Sequence, residues 1–358
     1  MATFNYTYSM FPDENHSTRL VLVTIYMFIQ ETADELVRLE FYVSFVGIIL
    51  TLLHLIILTR KSMRTSSVMS IMISTAICEF ISMISAIGTR DVVLNFELRD
   101  CSPPTTFEAY SVFRVVQAIR DNVIRCSTWL SVSMALIRYL VIKRATSKPG
   151  EQWISTFPFG FYVSSIIFVL STLLAFIYYA RLEMKQTGEW RPAESCPNFA
   201  SFPTDFPIYD TFPSDLFQMY DGLIHRLFMF INGIVSKIIP CVLLPVLSAM
   251  LLLTIRAARK SRQVESDRTA EKNKTDRTTG LVTFMSVTFF ISLLPAGLVT
   301  SLQARFTDVG FLYMSAYVHS LCYALLTFNA TFHCFICFAM SSQYRKTVRT
   351  LLRITEKR

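Results

Sequence analysis

The chain has 358 residues, of which 52% are hydrophobic and only 17% charged, and this composition excludes an ordinary soluble domain. The net charge of +8 is not accompanied by a basic stripe interleaved with aromatic residues, so nucleic acid is not an expected partner. The first twenty residues contain Asp13 and Glu14 and lack the basic start and apolar core of a cleavable signal peptide. We therefore expect a multi-pass membrane protein whose first span directs its own insertion.

Residues 1–38 are predicted to form an extracellular N-terminal segment. Asn5 and Asn15 each begin an Asn-x-Ser/Thr triplet, the acceptor sequence for glycosylation outside the cytosol. The apolar piece at 20–29 is too short to span a membrane, so it is expected to lie at the interface or to cap the bundle. The first span is placed at about 40–59.

Six further apolar segments complete a predicted all-α bundle of seven transmembrane helices within residues 39–340. Their approximate ranges are 66–87, 108–143, 153–180, 223–256, 280–303 and 311–340. The third contains no Gly or Pro, and at ~1.5 Å per residue it is long enough to cross a ~30 Å hydrocarbon layer. Five prolines in the loop before the fifth span argue against a long helix there. Residues 341–358 are predicted to be a cytoplasmic amphipathic helix and tail.

The basic residues indicate which ends of the spans are cytoplasmic. The segments 60–64, 138–148, 256–277 and 345–358 contain 21 of the 34 lysines and arginines. By the positive-inside rule these segments are cytoplasmic and the N-terminus is extracellular. The cationic inner surface would meet anionic membrane lipid, a G protein, or both.

Two of the eight cysteines, Cys101 and Cys196, fall in segments predicted to be extracellular, and the other six fall inside spans. An oxidising compartment favours a disulfide between these two, which would tether the outer end of the third span to the loop after the fourth. Two free or separately paired thiols are the alternative.

Five segments carry a resemblance to a known family. They are Lys61-Ser-Met-Arg-Thr-Ser-Ser67, Ala76-Ile-Cys-Glu79, Ser127-Thr-Trp-Leu130 with Ala135-Leu-Ile-Arg-Tyr139, Ile239-Pro-Cys-Val-Leu-Leu-Pro245, and Cys334-Phe-Ile-Cys-Phe-Ala-Met-Ser-Ser-Gln-Tyr-Arg345. Through them, residues 39–353 resemble the nematode serpentine chemoreceptors of class W (Srw), rhodopsin-like G protein-coupled receptors related to FMRFamide-type peptide receptors. The resemblance implies a plasma-membrane receptor that binds a neuropeptide or environmental chemical outside and activates a heterotrimeric G protein inside.

The resemblance also implies a set of switch and G-protein-coupling residues. They are Glu79, Arg138, Tyr139, Phe289, Pro295 and Asn329. Ile137 replaces the acid of the family's Asp/Glu-Arg-Tyr triplet, so we expect Arg138 to lack its usual restraint and the receptor to signal measurably without ligand. Glu79 replaces the usual Asp, and it is either a structural acid or a sodium- or proton-linked switch near Asn329.

Charged residues in the outer half of the third span are candidates for ligand binding, because charges inside a span normally face protein or water. Asp121 and Arg125 are four residues apart, so an intrahelical ion pair is expected between them. Arg120 points about 100° away around the helix, which leaves it for a ligand carboxylate or an acid elsewhere in the bundle.

The full set of candidate ligand-binding residues is Gln117, Arg120, Asp121, Arg125, Lys237 and His319. Because cations outnumber anions in this set, an acidic or carbonyl-rich ligand is favoured over an amine.

Other function classes fit less well. A transporter or channel is the main alternative, but it would normally show inverted repeats or span-breaking glycine pairs, and the chain has only ten glycines. An enzyme is not expected, because the five histidines lack metal-ligand spacing and neither Gly-x-Ser-x-Gly nor His-Glu-x-x-His occurs. No metal or cofactor site is predicted.

Overall fold

A computed structural model describes residues 10–11, 15–94, 103–147, 153–191, 205–262, 287–340 and 342–356. In these ranges the helices are α1 His16–Leu58, α2 Ser67–Leu94, α3 Phe107–Ser147, α4 Phe157–Ala180, α5 in three parts (Asp215–Gly233, the π-helical turn Ile234–Ile238 and Ile239–Arg262), α6 Val287–Leu302, α7 Val309–Met340 and α8 Ser342–Glu356. A 3-10 turn, Trp153–Ser155, precedes α4. The predicted all-α architecture is confirmed.

Five of these helices, α1, α2, α4, α5 and α7, are long and apolar enough to cross a membrane. Helix α3 is 41 residues long but carries the charges noted above, and the described part of α6 is a shorter apolar helix. Helices α1, α3, α5 and α7 begin at one end of the bundle, which we call the outer end, following the positive-inside rule. The other end, where α7 meets α8, is the inner end.

Helix α1 differs from its prediction, because one helix of 43 residues covers both the apolar piece at 20–29 and the first span. The polar stretch between them contains no Gly or Pro and is rich in good helix formers. The helix therefore continues through this stretch although it is polar. The added turns pack on the outer end of α7, where Tyr26 lies edge-on to Tyr317 at 5.8 Å between ring centroids. Met10 and Phe11 belong to the same buried cluster.

Helix α5 is irregular at two places. The backbone leaves helical geometry over residues 219–222, with positive φ at Tyr220, Asp221 and Gly222, so the regular helix starts near the predicted residue 223. The π-helical turn Ile234–Ile238 then precedes Pro240. Such turns insert a residue into an α-helix, and they often occur at functional sites.

The loop between α4 and α5 contains a hairpin that the proline pattern did not predict. Strands β1 Leu182–Trp190 and β2 Phe206–Pro213 pair in antiparallel register, with Leu182 opposite Pro213 and Trp190 opposite Phe206. Arg114 of α3 fastens the base of this hairpin, donating to the carbonyl oxygens of Tyr179 at 3.2 Å and Leu182 at 2.6 Å.

Cys101 and Cys196 lie outside the described residues, so their disulfide remains a prediction. The six cysteines placed in spans carry free thiols.

Close packing of α2 against α4 depends on a small residue. Ser70 of α2 donates to the carbonyl oxygen of Phe157 at 2.9 Å. A Cβ on Gly160 would lie 1.9 Å from Ser70 Oγ and 2.3 Å from the carbonyl oxygen of Ser67. Because one of these neighbours is backbone, neither a rotamer change nor a small shift would relieve the clash.

We expect Gly160→Ala to destabilise the bundle by about 1–3 kcal/mol, the usual range for overpacking a tight site. The matched control is Gly88→Ala in α2, where the nearest atom to an added Cβ is Val116 Cγ1 at 3.9 Å. The measurement is the melting temperature of the purified protein in detergent. Equal melting temperatures for the two variants would contradict this account of the α2–α4 contact.

Candidate ligand cavity and polar core

A cavity of about 270 Å³ lies in the outer half of the bundle, among α3, α4, α5, α6 and α7. All six residues predicted from the sequence line it: Gln117, Arg120, Asp121, Arg125, Lys237 and His319. Its walls also include the aromatic residues Phe113, Tyr178, Tyr313, Tyr317 and Tyr323. Residues more than two hundred positions apart in the sequence thus converge on one space that combines cationic and aromatic surface.

Arg120 is held by an acid of the bundle, one of the two alternatives left open for it. Its guanidinium forms an ion pair with Glu40 of α1, and both side chains are about 95% buried, with side-chain exposures of 6% and 4%. The same Glu40 oxygen accepts a hydrogen bond from Thr327 of α7 at 2.6 Å. The guanidinium also lies over the ring of Tyr323, 5.2 Å from its centroid. Arg120 therefore joins α1, α3 and α7.

The intrahelical pair expected between Asp121 and Arg125 is wrong, because each side chain bonds to a different helix. Asp121 accepts a hydrogen bond from the hydroxyl of Tyr323 at 2.5 Å. Arg125 donates to Ser236 Oγ of α5 at 3.0 Å and to the carbonyl oxygen of Ser171 of α4 at 3.1 Å. A side chain inside a bundle meets neighbours from several helices, and these displace the intrahelical pairing that an isolated helix would favour.

Lys237 links three helices at the cavity wall. Its ammonium donates to Thr300 Oγ1 of α6 at 3.0 Å and to His319 Nε2 of α7. His319 Nδ1 lies 2.7 Å from the carbonyl oxygen of Ser315, which places the imidazole proton on Nδ1 and leaves Nε2 as the acceptor. The π-helical turn of α5 allows the consecutive residues Ser236 and Lys237 both to line the cavity.

Sequence reasoning missed Glu40, Thr300, Tyr323 and Thr327. Glu40 carried a detectable signal, because an acid at the edge of an apolar span needs a partner and the third span offered an excess of arginines. The two threonines and Tyr323 carried none, since such residues are common in spans and their roles depend on which helices they face.

Below the cavity lies an apolar layer and then a smaller cavity lined by both polar and apolar residues. Leu293 lines the cavity and packs with Phe289, Val132 and Leu244. Phe289 also lines a second cavity of about 20 Å³, together with Glu79 and Asn329. Three of the predicted switch residues therefore meet, whereas Pro295 is exposed on the surface of α6.

Glu79 is partnered by a histidine rather than left alone in midspan. Its Oε2 lies 3.1 Å from Nδ1 of His333. The segment Asn329-Ala-Thr-Phe-His333 resembles the Asn-Pro-x-x-Tyr motif of rhodopsin-like receptors, with His333 in the tyrosine position. The His333 ring packs on that of His54, with 5.5 Å between centroids, and His54 Nδ1 lies 2.9 Å from the Tyr344 hydroxyl of α8. Burial raises the pKa of Tyr344, which keeps this hydroxyl protonated.

Arg138 and Tyr139 lie near the inner end of α3. Ile137, which stands where the family has an acid, is 5% exposed and packs in an apolar cluster with Ile71, Leu130 and Ile154. In the described part of the chain, Arg138 has no ion-pair partner. Ile137 therefore packs in the core and offers no charge that could restrain Arg138.

The chain is similar to a known protein family and to a curated receptor. A model of the family described as "Serpentine type 7TM GPCR chemoreceptor Srw" matches residues 38–355. The chain belongs to this family. It is also 26% identical over 226 residues to the Caenorhabditis elegans "G-protein coupled receptor dmsr-1", a match that covers 63% of this chain and 43% of that receptor. The chain therefore spans less than half the length of this curated relative.

Membership of the Srw family confirms the resemblance seen in the sequence and shows a multi-pass membrane protein with seven transmembrane helices. It favours a G protein-coupled receptor over a transporter or channel, and the family is one of chemoreceptors, a class that is not normally enzymatic. Of the two predicted glycosylation sites, Asn5 lies outside the described residues, and Asn15 is exposed immediately before α1.

We expect Glu40→Gln to lower stability by about 3–5 kcal/mol, because it leaves the buried Arg120 charge unpaired. The double variant Glu40→Leu with Arg120→Met should recover much of this loss, since apolar side chains of similar volume replace the pair. Melting temperatures of the purified proteins would measure both effects.

The control for this pair is Glu35→Gln in the same helix, which breaks an ion pair to Arg38 whose side chains are 69% and 52% exposed. Exposed pairs contribute little, so this variant should melt close to the wild type. A Glu40→Gln variant that melts like Glu35→Gln would show that the buried pair does not hold α1 to α3.

Proposed function

We propose that this Srw-family chain is a chemoreceptor of the plasma membrane that binds an extracellular small molecule or neuropeptide in the cavity of its outer half. The observation that carries the proposal is the convergence of Arg120, Arg125 and Lys237 with aromatic side chains on one space of about 270 Å³. Pockets that bind small ligands combine apolar walls with a few polar groups in this way. The family membership supports a receptor, and the excess of cations supports an acidic or carbonyl-rich ligand over an amine.

We infer that ligand binding shifts the bundle towards a form that binds a heterotrimeric G protein at the inner end. A ligand shifts such an equilibrium only through contacts that differ between the two forms. Leu293 supports this route, because it lines the cavity and also packs on Phe289 in the apolar layer below. Arg138, Tyr139 and the basic face of α8 would provide the inner contact surface.

The test is a ligand screen in cells that express the chain with a promiscuous G protein. We expect an active compound to give a second-messenger response that Arg138→Ala reduces at least about tenfold at equal surface expression. Gln117→Leu in the cavity wall should change the potency of the compound and leave the surface expression of the receptor unchanged. A ligand-independent current or solute flux that survives Arg138→Ala would instead support a transporter or channel.

A second expected result concerns signalling without ligand. Because Ile137 is packed in an apolar cluster and Arg138 lacks the neighbouring acid, the inactive form should be less restrained and basal signalling should be measurable. The measurement compares second-messenger levels in receptor-expressing cells, cells expressing Arg138→Ala and empty cells. Basal levels that match those of empty cells, at verified surface expression, would contradict this expectation.

A further inference from the structure

The charged groups that line the ligand cavity are neutralised to different degrees by the protein. Arg120 is ion-paired with Glu40. Arg125, 7% exposed, directs its donors to Ser236 and to the backbone of Ser171, so its guanidinium is engaged in joining α3 to α4 and α5. Neither arginine is well placed to meet a ligand without first giving up contacts that hold helices together.

Lys237 is in a different position, because both of its hydrogen-bond partners are neutral acceptors. Thr300 donates its own hydroxyl proton to the carbonyl oxygen of Ala296 at 2.6 Å, so its oxygen accepts from the ammonium. His319 accepts at Nε2, as its Nδ1 proton is directed to Ser315. An ammonium has three N–H donors, and these contacts use two of them.

No carboxylate lies within ion-pair distance of Lys237 in the described residues. Asp121, on the same cavity wall, attracts the ammonium from a longer distance, but its carboxylate accepts a hydrogen bond from Tyr323. Because Arg125 and Lys237 together outnumber this one carboxylate, the cavity keeps an excess of positive charge, which favours the entry of an anion.

Helices α5 and α6 approach closely beside Lys237, because a Cβ on Gly297 would lie 3.1 Å from Lys237 Cβ and 2.7 Å from Ile238 Cγ1. In the described residues the third N–H donor has no hydrogen-bond acceptor, and the ammonium lies 6.0 Å from the centroid of the Tyr323 ring, which also lines the cavity.

We propose that Lys237 is the anchor for a carboxylate of the ligand, and that Thr300 and His319 orient its ammonium. The aromatic walls, which include Tyr313 and Tyr317, would hold an apolar or aromatic body, so the ligand class is a small carboxylic acid with such a body. This inference rests on the proposed function of the cavity. It also indicates how the ligand would affect the bundle, because an anion bound to Lys237 would lie at the contact of α5 with α6 and α7.

The experiment uses matched pairs of probes on the purified full chain in nanodiscs: 3-phenylpropionate with 3-phenylpropanamide, and octanoate with octanamide. Each acid and its amide have nearly the same shape and differ in charge. We expect each acid to raise the melting temperature in a saturable manner and to bind at least about tenfold more tightly than its amide, the effect of losing one charge-assisted hydrogen bond. This comparison needs no variant and therefore does not depend on how a mutant folds.

Variants then locate the anchor. Lys237→Gln should remove the preference for acid over amide, and Lys237→Arg should keep most of it. Lys185→Gln is the matched control, because Lys185 lies on β1, outside the cavity, with a side chain that is 50% exposed. This control should leave the preference unchanged.

The possible outcomes separate the anchor from the proposed function. If neither acid stabilises the chain more than its amide, or if Lys237→Gln keeps the preference, the anchor is overturned and a receptor for another ligand class remains. If the acids bind through Lys237 but a screen that includes them gives no G-protein response, the anchor stands and the proposed receptor function is contradicted.

Discussion

The ion pair between Glu40 and Arg120 is the interaction on which the outer half of the bundle depends. Charges removed from water must find partners, and a guanidinium in a span has no alternative in the surrounding lipid. The pair meets this requirement by bringing α1 and α3 together, and Thr327 of α7 donates a further hydrogen bond to the carboxylate of Glu40. The cavity beside it contains charged groups because these helices must place such groups on the inside.

Polar contacts have a particular role in a membrane protein. Lipid chains are as apolar as the outer faces of the helices, so apolar burial alone does not select which helix faces meet. Hydrogen bonds and close approach at small residues do select them. Arg125 fixes α3 against α4 and α5, Lys237 fixes α5 against α6 and α7, and Gly160 sets the approach of α4 to α2.

The departures from the family motifs compensate for one another. Glu79 replaces an aspartate and His333 replaces a tyrosine. Each change, taken alone, would suggest that the switch motif has lost a residue it needs. In the structure these two residues form a hydrogen bond, and His54 packs on His333 and hydrogen-bonds Tyr344 of α8. Two substitutions that are 254 positions apart are therefore parts of one network.

Hydropathy predicted the positions of the spans well and the extent of α1 badly, for a physical reason. The windows that detect spans measure transfer to lipid, whereas a helix ends where its backbone hydrogen bonding is interrupted or capped. Between residues 29 and 39 nothing interrupts it, so the helix continues outside the predicted span. The hairpin was missed because prolines argue against a helix without indicating which strands will pair, and the pairing of β1 with β2 joins residues far apart in the loop.

Composition and hydropathy predict a membrane bundle of seven helices, and the basic residues predict which loops are cytoplasmic. These properties can be predicted because the free energy of transfer to lipid and the charge of a loop belong to each segment alone. The six candidate ligand-binding residues needed, in addition, the resemblance to rhodopsin-like receptors. Which groups become partners could not be predicted from the segments one at a time. Asp121 bonds to Tyr323, 202 positions away, rather than to Arg125 one turn along its own helix. Partner choice depends on how the helices rotate and approach one another, and that is a property of the whole bundle.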